Sequence, residues 1–208
     1  MKLIPRWIAH QFARPSGPLG RWLIGPWLDR IGAPLGDLAA ELLGPRPGEA
    51  LLDIGFGGGS LIARLAKVAD RVAGVDVSAQ MVARARQRLG ERVEIRQAEA
   101  ARLPFGDAAF DGVTSVSVLH FWSDLAPPLA EIARVLRPGG RFVLVFEEPE
   151  QLRRWPGHRY GFHLWSSDEV IAAAGRAGLK LTQRREGKGV KPATFIGLRF
   201  DKETKIGT

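Results

Sequence analysis

The chain has 208 residues, 45% of them hydrophobic and 25% charged, which suits one soluble globular domain with a single sizeable core. It contains no cysteine, which excludes disulfides, thiolate metal sites and a cysteine nucleophile. Thirty Lys and Arg against 22 Asp and Glu leave a net charge of +8, but the basic residues form no run of five. Attraction to nucleic acid is therefore permitted and not indicated.

Residues 1–44 read as an N-terminal extension of two or three short helices, the last over Leu35–Leu43, with apolar side chains at 35, 38, 39, 42 and 43. Trp7, Trp22 and Trp27 beside arginines could serve a membrane surface, but a helical lid closing on a ligand is the favoured reading. No stretch reaches the roughly 18 apolar residues of a membrane span. Pro5, Arg6 and His10 interrupt any signal-peptide core, so a cytoplasmic location is expected. Pro45-Arg46-Pro47-Gly48 closes the extension, and residues 45–208 form the second unit.

Leu51, Leu52 and Ile54 then make a short apolar run, the pattern of a strand buried on both faces. Four glycines follow within Gly55–Gly59, where the chain must turn sharply and can approach a ligand closely. Leu61, Ile62, Leu65 and Val68 resume at helical spacing. Strand, glycine turn and helix form a nucleotide-binding crossover. A dinucleotide fingerprint needs a third glycine where Ser60 stands, and Asp53 would repel a pyrophosphate while suiting an ammonium group or a bound water.

Arg71–Asp76 is a second strand, and Asp76, 21 residues beyond Gly55, is spaced to receive ribose hydroxyls. Ser78 can cap a helix whose Met81, Val82, Ala85 and Leu89 face the sheet, with Met81 placed to meet an adenine. Val93–Arg96 is a third strand, followed by the loop from Gln97 to Phe105. Phe110 begins a fourth strand in the run to Trp122, with His120 near its end. Asp124 can cap the next helix, whose buried stripe is Leu129, Ile132, Ala133 and Leu136, and Arg137-Pro138-Gly139-Gly140 turns into a strand over Arg141–Glu147. Residues 148–165 form a basic, aromatic loop containing Tyr160. Ser166 and Glu169 are spaced as a capping box, and Leu179–Arg185 with Ala193–Phe200 read as a final hairpin.

Several of these segments resemble the class I S-adenosylmethionine-dependent methyltransferases, in particular the ubiquinone/menaquinone-type branch. The glycine loop is similar to the family's DIGCGxG, from which Phe56 and Gly58 depart. Gln97–Phe105 resembles GDAxxLPF, Phe110–Trp122 resembles FDxVxSxxxLHHV, and Glu131–Gly140 matches ExxRVLRPGG. The N/D-P-P-Y/F signature of base-nitrogen methylation is missing, which argues against a nucleic-acid substrate.

The resemblance implies an α/β, Rossmann-like, doubly wound seven-stranded sheet, mostly parallel with an antiparallel last strand. It implies S-adenosylmethionine as cofactor, S-adenosylhomocysteine as product, and a small-molecule acceptor. Asp53, Gly55, Phe56, Gly57, Asp76, Val77, Met81, Ala98, Glu99, Ala100 and Ser117 are the expected cofactor contacts. His120 is the candidate base or orienting group, and His120, Trp122 and Tyr160 the candidate acceptor contacts. No residues show metal-ligand spacing. A non-catalytic cofactor- or RNA-binding protein of the same fold is the alternative, and the sequence does not disclose the oligomeric state.

Overall fold

The computed structural model describes residues 25–154, 156–159, 161–189 and 194–204, apart from the side chains of 25–31, 156 and 157. Seven strands form one sheet: β1 (Ala50–Ile54), β2 (Arg71–Asp76), β3 (Glu94–Gln97), β4 (Phe110–Val116), β5 (Leu136–Phe146), β6 (Leu179–Lys188) and β7 (Thr194–Lys202). Their spatial order is β3-β2-β1-β4-β5-β7-β6. β1 through β5 pair in parallel, and β7 runs antiparallel to both β5 and β6. This is the doubly wound sheet expected from the sequence. Its strand order reverses beside β1, so β1 and β4 open a crevice at their carboxyl ends.

Among the described residues six α-helices accompany the sheet: α1 (Gly25–Leu43), α2 (Ser60–Leu65), α3 (Ala79–Leu89), α4 (Ala126–Val135), α5 (Pro149–Arg153) and α6 (Ser167–Arg176). The two faces of the sheet carry separate cores. Leu35, Leu38, Leu42, Leu51, Ile62, Val82 and Val143 share one, beneath α1, α2 and α3. Leu52, Ile54, Val113, Leu129, Ile132, Leu144 and Val170 share the other, beneath α4 and α6. Adjacent strand residues falling into opposite cores is the period-2 geometry of a sheet covered on both faces.

Several boundaries differ from those expected. α1 starts ten residues before Leu35 and contains Pro34, although proline removes one helical hydrogen bond. Leu35, Leu38, Ala39, Leu42 and Leu43 are buried, so this helix is a layer of the core, and the rest of the expected lid (residues 1–24) lies outside the described residues. α2 stops at Leu65, leaving Val68 39% exposed where a buried helical position was expected. The β5 ladder reaches back to Leu136, with a register irregularity opposite Phe110/Gly112 that accommodates the Pro138-Gly139-Gly140 stretch. The Ser166–Glu169 capping box forms as expected. At α4 the N-cap position is Leu125, and Asp124 accepts a bond from the Ala126 N–H at 2.9 Å.

Two polar locks join the layers. Glu131 accepts the Leu103 N–H at 2.7 Å, while Arg134 binds Glu131, Asp107 and the carbonyls of Leu103 and Phe105. The ExxRVLRPGG stretch thus fastens the loop after β3 to α4. In the second lock, Arg141 grips both oxygens of Glu49 at 2.8 and 2.6 Å and donates to the carbonyls of Leu43 and Gly44. It ties the end of α1 to the starts of β1 and β5. Burial acts to raise the Glu49 carboxyl, but the Arg141 guanidinium outweighs it and holds Glu49 below the usual carboxylate range.

Candidate active site

The site is built from the strand ends inward. β1 delivers Asp53, 2% exposed, one residue before its end. Across the parallel ladder Asp53 faces Thr114 of β4, whose hydroxyl donates to Asp53 Oδ1 at 2.8 Å. Burial, opposed by that hydroxyl and reinforced by the Asp76 charge, pushes the Asp53 carboxyl up to about 7. A carboxylate with a hydroxyl partner and no cation among the described residues is prepared for a positively charged ligand group.

The chain then turns at Gly55, Gly57 and Gly59, with φ of 72°, 51° and 81°, all in the left-handed region that favours glycine. Gly55 is needed twice over: its N–H bonds to Val75 O at 2.7 Å, and an added Cβ would collide with the Val118 side chain. The turn therefore packs against the segment leaving β4.

β2 ends in Asp76, 8% exposed. Its Oδ2 accepts the Gly57 N–H at 3.0 Å and its Oδ1 accepts the Ser78 N–H at 2.8 Å. Each oxygen retains a further lone pair, enough to receive the two hydroxyls of a ribose. Burial raises the Asp76 carboxyl, and the two N–H bonds oppose the rise. The Ala98 N–H bonds to Asp76 O at 3.2 Å, so the loop after β3 lies against the end of β2. Val77 is half-buried beside Asp76, and its carbonyl accepts the Gln97 side-chain amide at 3.1 Å. Ala98 and Ala100 are half-buried and Glu99 is exposed.

Three expected contacts sit differently. Phe56 and Met81 are 7% and 2% exposed and pack into the α1–α2–α3 core. An added Cβ at Gly74 would strike Phe56 and Ile62, so the bare β2 backbone makes room for that ring. Trp122, 7% exposed, belongs to the opposite core, and its carbonyl accepts the Trp165 indole N–H at 2.9 Å. These large apolar groups bury their area in the two cores of the sheet.

His120 lies in a 3₁₀ turn (Leu119–Phe121) that begins three residues beyond β4, not on the strand. Its ring packs between Phe121 and Phe162, with centroids 4.2 and 4.3 Å away. Burial alone lowers the imidazole to about 3, and Nδ1 has no hydrogen-bond partner among the described residues. His120 is therefore neutral at physiological pH. Ser117 holds φ at 53°, an uncommon conformation for a residue with a side chain, and its hydroxyl faces Glu147. Tyr160 lies outside the described residues. Sequence reasoning missed Thr114, Phe121, Phe162 and Glu147. Glu147 did carry a signal, an acid at a strand's carboxyl end, like Asp76.

A glycine turn between two acid-tipped parallel strands, with no third glycine at Ser60, separates this site from a dinucleotide fold. Residues 52–144 match the family described as a methyltransferase domain. In that stretch the chain is similar to the class I S-adenosylmethionine-dependent methyltransferases. Among curated relatives, an O-methyltransferase (cnsE) of Penicillium expansum is 43% identical over 108 residues, 49% of this chain and 39% of the relative. The demethylmenaquinone methyltransferase of Beutenbergia cavernae is 39% identical over 137 residues, 64% of this chain and 55% of the relative. The chain spans less than two thirds of the length of these relatives. A Haloferax volcanii methyltransferase, solved with its Trm112 activator, shares the fold at a TM-score of 0.76 and 21% identity, covering 86% of this chain and 92% of that one.

Proposed function

We propose that this chain transfers a methyl group from S-adenosylmethionine to a small-molecule acceptor. The observation that carries the reading is Asp76: a buried carboxylate at the end of β2, held by Gly57 and Ser78, with lone pairs left for a diol. Asp53 fits the amino-acid ammonium, since a positive charge there would relieve a buried carboxyl already raised to about 7. The backbone of Gly55–Gly59 would follow the methionine end, with Val77 and Ala98–Ala100 bordering the adenine. When bound, the cofactor supplies a methyl group on a positively charged sulfur, which is already an activated leaving group.

The remaining work for the protein is alignment and exclusion of water. Ser117 and His120 follow β4 towards the site. A proton acceptor functions best with a pKa near the working pH, and His120 lies far below it. His120 therefore acts as a neutral orienting group rather than as a base. The half-buried Phe121 and Phe162 are better placed than Trp122 to form an acceptor wall.

The test is calorimetric titration of S-adenosylmethionine and S-adenosylhomocysteine into wild type, Asp76→Ala and Asp76→Asn. Wild type binds both. Asp76→Ala binds tenfold or more weakly, about 1.4 kcal/mol or more, and Asp76→Asn falls between them. Absence of binding by a folded wild type would remove the foundation of the reading.

A further inference from the structure

Glu147 is a strand-end acid outside the cofactor set. It directly follows β5, whose Val145 pairs with Val116 of β4, and the Ser117 N–H bonds to Val145 O at 2.8 Å. Ser117 and Glu147 therefore stand side by side where the two strands end, the end of the sheet at which Asp53 and Asp76 also sit. The Ser117 hydroxyl donates to Glu147 Oε2 at 3.5 Å, from a backbone held at φ 53°.

The adjacent acid has a structural occupation. Glu148 accepts the Ser167 N–H at 3.2 Å and lies 4.0 Å from the Arg184 guanidinium. Glu147 has no such anchor among the described residues. The groups facing its carboxyl are the Ser117 hydroxyl and its own N–H, and no Lys, Arg or His pairs with it among the described residues. Burial raises this carboxyl, opposed by those two groups. Half-buried, without a counter-ion and shifted towards neutrality, it has the properties that His120 lacks as a proton acceptor.

The surroundings indicate the acceptor. Phe121 and Phe162 meet edge to face at 5.1 Å and are each half-buried. Bonds from His163 N–H to His120 O at 2.8 Å and from Trp165 to Trp122 O at 2.9 Å tie the loop after β5 to the turn after β4. The two aromatic rings thus belong to segments that leave the same strand ends as Ser117 and Glu147, and flat apolar walls suit a flat ring.

We propose that Glu147 is the catalytic base for a phenol-class acceptor, a hydroxylated ring held against Phe121 and Phe162; this rests on the methyl-transfer reading above. The acceptor O–H gives its proton to the Glu147 carboxylate as an oxygen lone pair forms the bond to the methyl carbon. The carbon–sulfur bond breaks with its electron pair passing to sulfur, giving a methyl ether, a neutral thioether and protonated Glu147, which returns its proton to water.

The experiment pairs wild type with Glu147→Gln and Glu147→Asp on catechol, 1,4-dihydroxynaphthalene and 4-nitrophenol. Glu147→Gln is expected to lose about 100-fold or more in kcat on the first two, within the range for removal of a general base. It should lose less than about fivefold on 4-nitrophenol, a phenol acidic enough to arrive largely ionised and so needing little help from a base. Glu147→Asp retains part of the activity, and cofactor affinity stays within about twofold in all three proteins. A second readout needs no turnover: the ¹³C resonance of the Glu147 carboxyl, identified by its loss in Glu147→Gln, should shift when catechol is added to the complex with S-adenosylhomocysteine. An equal loss on all three phenols, no carboxyl shift, or cofactor binding by wild type with no phenol methylated would each overturn the proposal and leave the cofactor reading standing. Failure of wild type to bind the cofactor would remove both.

Discussion

Replacing Asp53 by Asn should make this protein more stable above neutral pH. The folded state holds the Asp53 carboxyl at about 7 against 3.8 in the open chain, because burial penalises the charged form. An acid whose folded pKa lies above its unfolded one favours folding below the unfolded value and loses that contribution as pH rises through the folded one. The gap is roughly 3 units, on the order of 4 kcal/mol at 1.36 kcal/mol per unit. At pH 5 less than half of it has been lost, and by pH 8 nearly all. Asn is nearly isosteric and neutral, and its oxygen can still accept the Thr114 hydroxyl bond, although its new N–H₂ must find acceptors at a cost of about 1–2 kcal/mol.

Thermal melts of wild type and Asp53→Asn at matched ionic strength, at pH 5 and pH 8, decide the matter. The difference between the two proteins isolates this one group from all others that titrate. We expect it to move by roughly 3 kcal/mol between the two pH values in favour of Asn, a relative Tm change of roughly 6–12 °C for a chain of this size. The same variant should bind S-adenosylmethionine more weakly, because on the proposed reading it lacks the charge that would receive the ammonium. Parallel stability curves across this pH range would refute the burial argument.

Two further outcomes test the rest of the structure. His120 is held at about 3 against an ordinary 6.5, so the folded state resists its proton and stability is lost as pH falls from 6.5. By pH 4.5 this loss is about 3 kcal/mol in wild type, and urea titrations should show His120→Gln spared it. Glu49→Leu leaves the Arg141 guanidinium without its carboxylate in a largely buried place. It should cost on the order of 3 kcal/mol, or roughly 6–12 °C in Tm, and a change under about 0.5 kcal/mol would show the lock to be ornamental.

The parts of this fold that were legible beforehand are those where backbone chemistry dictates sequence. The Gly55–Gly59 turn, the acid ending β2 and the Ser166–Glu169 box each need particular residue types for local reasons, so their pattern carries over into the structure. What escaped was the direction of large apolar side chains. Nothing local tells Met81, Phe56 or Trp122 whether to face a ligand or a core; that depends on gaps opened by distant residues, such as the missing Cβ of Gly74 beneath Phe56. His120 escaped for a related reason. Its position in sequence indicated the end of a strand, but β4 stops at Val116, and the 3₁₀ turn rotates the imidazole into an aromatic layer partly supplied by Phe162, 42 residues downstream.

That contrast bears on where chemistry can reside in this site. Asp53, Asp76 and Glu147 are buried or half-buried carboxylates at the ends of three parallel strands, and none has a cation partner among the described residues. The structural acids Glu49 and Glu131 are each held by an arginine and sit below the usual carboxylate range, whereas these three are raised. Arginines hold Glu49 and Glu131, which join layers, whereas three acids at one end of the sheet have no cation partner among the described residues. Keeping them there costs folding free energy that neutral replacements would recover. Such a cost fits a site whose missing positive charge and hydroxyl groups arrive with the ligands.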